Sequence, residues 1–389
     1  MRAYLRANAP AFAGTAVYTA LLLLWTMRNW NLAPALNNDI TRGMALFNYV
    51  PHLAFYAEEA VLALLGTSAK IVLGFVVLPA CCFYLIVKIF RFYLDILWSL
   101  AIAFAALISF DNYPFRDFLY GLIAGKGWAE LASVRHFEVM GFPIPALSTC
   151  ALLLLLHYSI KYFRPQDLLQ RSVLTALWAV HIHLHPIDAL FGLCFWFSYL
   201  PIRLARSYGA GSSRQVLIMV LQQLLLALLF VAPALLGLDR HIFTQVGHVS
   251  PGAYYYSMYF AAPLLLLALA FAVMRIDPHE ILFKFWHIFL LLLLEFAIVF
   301  DADVLGVGLN LEIVTSRIPL FFLHFYYYVP VLYFATRPQR VYQSGPESRP
   351  LARLGNSLFS WAFARFSKIY LPLFILLLLA FAWTATVSL

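Results

Sequence analysis

The sequence predicts an all-α polytopic membrane protein with about eleven transmembrane helices and a cytoplasmic N-terminus. Three observations predict it. Of 389 residues, 63% are hydrophobic and 11% charged, whereas soluble domains are about half apolar and a quarter charged. The apolar residues form long runs separated by short polar stretches. The cations are divided unequally: with the N-terminus inside, eighteen of the 26 Lys and Arg residues fall in cytoplasmic connections and eight in outer ones.

The same composition excludes a disordered chain, a disulfide-rich secreted module and a fibrous repeat. A net charge of +8 raises the question of nucleic acid. The cations lie in short loops and form no stripe, so no nucleic-acid partner is expected. Cys81, Cys82, Cys150 and Cys194 lie in apolar stretches without a C-x-x-C pair, which leaves no disulfide framework or zinc ribbon.

The first element follows Arg2 and Arg6: an apolar run from Ala11 to Met27. No small-residue cleavage site follows it, so it reads as a retained membrane helix. Further helices are expected near 69–90, 92–110, 145–163, 172–185, 187–203, 214–236, 254–275, 284–300, 318–335 and 369–388. Residues 1–389 read as one integral membrane domain without internal repeats, which weighs against transporters built from duplicated halves.

Two long connections, 28–68 and 111–144, fall on the outer face and look partly helical. In the first, His52, Phe55 and Tyr56, then Val61, Leu62 and Leu64, suggest a helix lying on the membrane. Shorter outer loops follow at 237–253 and 301–317. The long cytoplasmic loop, 336–368, ends in an amphipathic surface helix with Leu358, Trp361, Phe363 and Phe366 beside Arg365 and Lys368, which suits anchoring. Most acids and histidines fall outside the membrane on the outer side, so the chemistry is expected there.

Four constellations carry chemistry-bearing residues. Asn37-Asn38-Asp39, with Arg42 a turn on, offers a carboxylate at the membrane surface. Asp39 there suits a general base toward a hydroxyl, or an N-cap for the helix that follows. The second outer loop opens with Asp111, Arg116 and Asp117 and closes with Arg135-His136-Phe137-Glu138. Arg135 and His136 suit a phosphate at headgroup depth, or a salt-bridge network with Glu130 and Glu138.

The third constellation is His181-Ile182-His183-Leu184-His185-Pro186-Ile187-Asp188. Pro186 breaks the helix between two flanks that are short for a full span, and non-helical backbone at membrane depth belongs in protein or along a wet cavity. The expected form is a broken hairpin whose tip lines a cavity. On a helix His181 and His185 share a face and His183 points elsewhere. Three readings stand: bonding to a polar ligand, buried structural histidines, or a metal ligated by His181 and His185 with an oxygen from Asp188.

The fourth is Ser316-Arg317-Ile318-Pro319 with His324 two turns on. Arg317 at that depth needs a lipid phosphate or an acid from the preceding loop (Asp301, Asp303 or Glu312). Glu295, inside an apolar run, reads as a proton relay or as the partner of an arginine or hydroxyl, and Gln222 and Gln223 as helix–helix bonding groups. No Gly-rich phosphate loop, nucleophile elbow or dinucleotide fingerprint is present.

This order of features resembles the GT-C superfamily of membrane glycosyltransferases. The features that carry the resemblance are Asp39 in a long first outer loop, the two loops 28–68 and 111–144, the His185-Pro186 break and the late Arg317. Arg135-His136-Phe137 followed by Pro143-Ile144-Pro145-Ala146-Leu147-Ser148 is similar to the helix start of bacterial members. The chain has Asn38-Asp39 where many members carry two acids, and the three histidines match no fixed family motif.

The resemblance implies a polyprenyl-phosphate sugar as donor and a glycan, lipid or protein acceptor on the periplasmic side of a bacterial inner membrane. It implies Asp39 as base, with Arg135, His136 and Arg317 for the leaving phosphate, and His181, His183 and His185 on sugar or phosphate. Asp111 and Arg116 stand with them as substrate-binding candidates. Tyr254, Tyr255, Tyr256, Tyr326 and Tyr327 suit either sugar stacking or the interfacial aromatic belt. No organic cofactor is expected, and a divalent metal is left open. Two alternatives also stand: a polysaccharide polymerase or ligase acting on lipid-linked glycans, and a transporter or flippase for a lipid-linked or anionic solute.

Overall fold

A computed structural model describes residues 2–28, 30, 52–108, 146–209 and 212–237, with short pieces at 264–265, 284–291, 293, 329–330 and 333. Among these residues the chain is helical and has no strand. The helices are α1 (Arg2–Arg28), α2 (His52–Val72), α3 (Leu78–Phe90), α4 (Ile96–Ile108), α5 (Ala146–Tyr162), α6 (Leu168–Val180), α7 (Pro186–Tyr208) and α8 (Ser213–Gly237). Two stretches are long and apolar enough to cross a membrane, Leu53–Phe90 and Ser213–Pro233. Asn8–Leu24 and Ala146–Tyr162 are shorter apolar helices.

The helix boundaries have local causes. α1 begins at Arg2 rather than at Ala11. Hydropathy marks only the apolar part of a helix, and Ala, Leu and Arg have the propensity to extend it. α4 begins at Ile96, not at residue 92, because the Asp95 carboxylate accepts from the amides of Leu97 and Trp98, both at 3.0 Å. Asp167 caps α6 in the same way through the Gln170 amide, at 3.0 Å, and so starts it four residues before the expected 172.

The largest difference from expectation lies in residues 52–90. Helix α2 occupies much of what reads as an outer loop, and it runs into α3 through a widened π turn, Leu73–Val77. Pro79 explains that turn: it has no amide proton, and its ring crowds the carbonyl four residues earlier, at Phe75. A sharp bend interrupts α2 at Gly66, whose φ of 79° and ψ of 176° belong to glycine alone. Lys70 pairs with Glu58 across this bend. Twelve residues of straight helix would hold them about 18 Å apart, so residues 52–65 fold back against the shaft that follows.

α3 lies at the centre of the first half. Lys88 donates to Asn8 Oδ1 at 2.6 Å, Phe12 stacks on Tyr84 and Tyr18 on Phe83, so α1 runs antiparallel to α3. Phe104 of α4 meets both Tyr18 and Phe83 edge-on. α5 runs parallel to α3: the Cys150 thiol meets that of Cys81 near one end, and His157 stacks on Phe92 near the other.

The second half is joined by buried indoles. Trp196 of α7 donates to Thr175 Oγ1 of α6 at 2.9 Å, and Trp178 of α6 donates to Ser159 Oγ of α5 at 3.2 Å. The Trp178 ring lies against Gly192 of α7, where a Cβ would come within 2.4 Å of it. Arg171 and Arg203 clamp the α5–α6 turn by donating to the carbonyls of Pro165 and Phe163. α8 packs on α6 and α7 but exposes Leu217, Leu221, Leu225, Leu228 and Leu229. An apolar strip of that length on a soluble surface would be unusual.

The bundle has two chemically different ends. Lys88, Arg91, Lys161, Arg164, Arg203 and Arg206 lie at or beside the α3–α4, α5–α6 and α7–α8 connections. The α6–α7 connection, at the opposite end, carries the three histidines.

Gly192→Ala is expected to force α6 and α7 apart and to lower stability by about 1–3 kcal/mol. Thermal unfolding of the detergent-purified protein measures it; an unchanged midpoint would refute the close indole contact.

Candidate functional site

The sequence His181–Asp188 dictates its own break. A residue that precedes proline is pushed out of the helical region, and His185 sits at φ −158°, ψ 115°. α6 therefore ends at Val180 and tightens into a 3-10 turn, His181–His183. The amides of Leu184 and His185 both return to the His181 carbonyl, at 2.9 and 3.0 Å. Pro186 then occupies the first position of α7, where a missing amide proton costs nothing. α7 runs 23 residues, to Tyr208, and so is longer than the short flank expected over 187–203.

The break is closed by a reciprocal pair. His185 is the N-cap of α7 and Asp188 stands three residues on, the spacing of a capping box. His185 Nδ1 lies 2.9 Å from Asp188 Oδ1 and 3.3 Å from the Asp188 amide. One nitrogen cannot donate to the carboxylate and accept from the amide at once. The carboxylate contact is shorter and charge-assisted, so the proton belongs on Nδ1. The carboxylate also sits in the first turn of α7, where the helix dipole favours negative charge. The Ser148 hydroxyl of α5 reaches the same carboxylate.

The neighbours are equally specific. His181 is 2% exposed and Asp188 1% exposed. His181 Nε2 and Asp188 Oδ2 are both buried with no hydrogen-bond partner among the described residues. His183 turns away from them, and its Nε2 lies 3.2 Å from the Phe230 carbonyl of α8. The turn His181–His183 also touches α2, α5 and α8. Five helices, α2, α5, α6, α7 and α8, thus meet at this turn within an apolar bundle.

Of the residues singled out in the sequence, the structure brings together His181 and His185, and it sends His183 to a separate partner. Asp39, Asp111, Arg116, Arg135, His136, Arg317, Glu295 and the tyrosines at 254–256 and 326–327 lie outside the described residues. Gln223 is buried with Oε1 unpartnered among the described residues. Among them, too, no group of three or more His, Cys, Asp or Glu side chains is arranged to hold a metal ion.

Asp188 and Ser148 carry more of the site than their place in the sequence suggests. The available signal for Asp188 is the H-P-x-D spacing, which is a cap followed by an acid in the first turn. Ser148 has no such signal, since its partner is 40 residues away in the chain. A further buried histidine, His287, meets the rings of Phe195 and Tyr199 of α7 edge-on.

No protein-family model matches the chain, and neither a curated protein nor a solved structure matches it.

The tautomer argument gives a test. An Asn side chain can place a donor where His185 Nδ1 stands, and Ala cannot. His185→Asn is expected to stay within about 1 kcal/mol of the parent, and His185→Ala to lose about 2–3 kcal/mol by stranding a buried carboxylate. Equal losses in thermal unfolding would show that the Nδ1–carboxylate bond does not hold the break.

Proposed function

We propose that the protein is a polytopic integral membrane glycosyltransferase. It takes a sugar from a polyprenyl-phosphate donor and passes it to a glycan, lipid or protein acceptor on the outer, periplasmic face of a bacterial inner membrane. The observation that carries this reading is the buried polar centre formed by His181, His185, Asp188 and Ser148. It is set into one end of an apolar bundle, opposite the basic connections. Polar groups are costly there unless they hold one another or a ligand. The lipid-length helices and the exposed apolar strip of α8 support the membrane setting. In this reading about eleven helices span the bilayer, with the basic connections in the cytoplasm.

The chemistry follows from the donor. Its polyprenyl tail stays in the bilayer, so the protein need only orient two substrates and exclude water. Asp39 takes the proton of the acceptor hydroxyl as that oxygen bonds to the anomeric carbon. The bond from that carbon to the phosphate oxygen breaks, and the sugar inverts. The lipid phosphate leaves with a growing negative charge, which Arg317 and Arg135 meet, with His136 beside them. The histidine turn holds the sugar or the phosphate in register.

Two measurements test the reading. Native mass spectrometry with lipid extraction, on protein purified gently from its own membrane, is expected to show a polyprenyl phosphate or its sugar ester, lost on Arg317→Ala. Bulk phospholipid alone, retained by that variant, would favour transport or assembly instead. Asp39→Asn is expected to abolish transfer while the protein stays folded; normal turnover would remove Asp39 as the base.

A further inference from the structure

We infer that the unpartnered buried atoms His181 Nε2 and Asp188 Oδ2 bind a ligand hydroxyl, and that the His181–Asp188 end of the bundle therefore grips the sugar of the donor and not its phosphate. The inference rests on the proposed transferase reading and narrows it to one part of one substrate.

Two buried atoms define the site. Asp188 is 1% exposed and holds His185 through Oδ1, which leaves Oδ2 inside the protein without a partner among the described residues. His181 is 2% exposed, and its Nε2 is also buried without a partner among the described residues. The two atoms lie seven residues apart across the α6–α7 break, and they do not bond to each other. A buried carboxylate oxygen without a donor is costly, so a group that fits here gains more than it would at a surface.

The chemistry of that group is constrained. Asp188 Oδ2 accepts only, so the ligand must donate a proton to it. The phosphodiester that joins the sugar to the lipid has no proton to give at neutral pH, and its charge opposes that of the carboxylate. The basic residues Lys161, Arg164, Arg203 and Arg206 lie toward the other end of the bundle and do not offset the repulsion. A sugar hydroxyl both donates and accepts, so one hydroxyl can give its proton to Oδ2 and meet His181 Nε2 with its oxygen or, on rotation, with a neighbouring hydroxyl. A water molecule has the same bonding capacity as one hydroxyl, and it is the occupant that the experiment must exclude.

The test uses the full-length protein in detergent, with citronellyl phosphate and a panel of citronellyl-phosphate hexoses and pentoses as probes, and reads dissociation constants. The parent protein is expected to bind at least one sugar ester about tenfold more tightly than bare citronellyl phosphate. Asp188→Asn puts an amide where the accepting oxygen stands; it is expected to erase that difference and leave the bare phosphate affinity unchanged. His181→Gln lies outside the α7 cap and carries the test should Asp188→Asn unfold; it is expected to reduce the difference. A sugar preference that survives both substitutions would overturn the inference and assign the two atoms to water. Equal binding of ester and bare phosphate by the parent would overturn it while leaving the phosphate-donor reading in place. Binding of neither probe would overturn both.

Discussion

The architecture of the second half depends on one constraint: within an apolar bundle, a proline at the head of α7 cannot let the preceding residue stay helical. The chain must break at His185, and a break in such surroundings must satisfy its own polar groups. The tight turn of His181–His183 absorbs the backbone amides. The imidazole of His185 and the carboxylate of Asp188 close what remains. Because α6 and α7 leave this point packed side by side, Trp196 reaches Thr175 and Gly192 lies under Trp178. The polar centre and the packing beneath it are therefore consequences of the same local geometry.

The two ends of the bundle use charge differently. At the basic end, arginines donate to turn carbonyls and Asp95 and Asp167 cap helices, so each group has a structural task near water. At the histidine end His181, His185 and Asp188 are buried; His185 and Asp188 hold each other, and one Asp188 oxygen and one His181 nitrogen have no partner among the described residues. Buried polar groups that are only partly satisfied are the ones a ligand can use, because binding relieves a cost the protein already bears. That asymmetry places the interest of the molecule at one end.

The bend at Gly66 adds a second feature near that end. It folds residues 52–65 back, with Lys70 and Glu58 pinned across it, and α2 touches the histidine turn. Bent, residues 52–65 lie back along the shaft that follows, with Phe55, Tyr56 and Leu64 left exposed.

The sequence by itself determined the elements whose causes are local. Long apolar runs mark α5 and α8 almost to the residue, because hydropathy and helix coincide there. Pro186 marks the break, and an acid three residues past the cap marks its partner. Tertiary structure decided what depends on distant residues. The helix expected from His52 is present, but its fold-back at Gly66 brings together an ion pair twelve residues apart, which hydropathy does not show. Ser148 joins Asp188 only because α5 packs beside α7. His183 leaves the other two histidines because α8 offers it the Phe230 carbonyl. Periodicity shows which side chains share a face of one helix; it does not show which face of another helix meets them, and the unpartnered atoms at His181 and Asp188 exist only at that meeting.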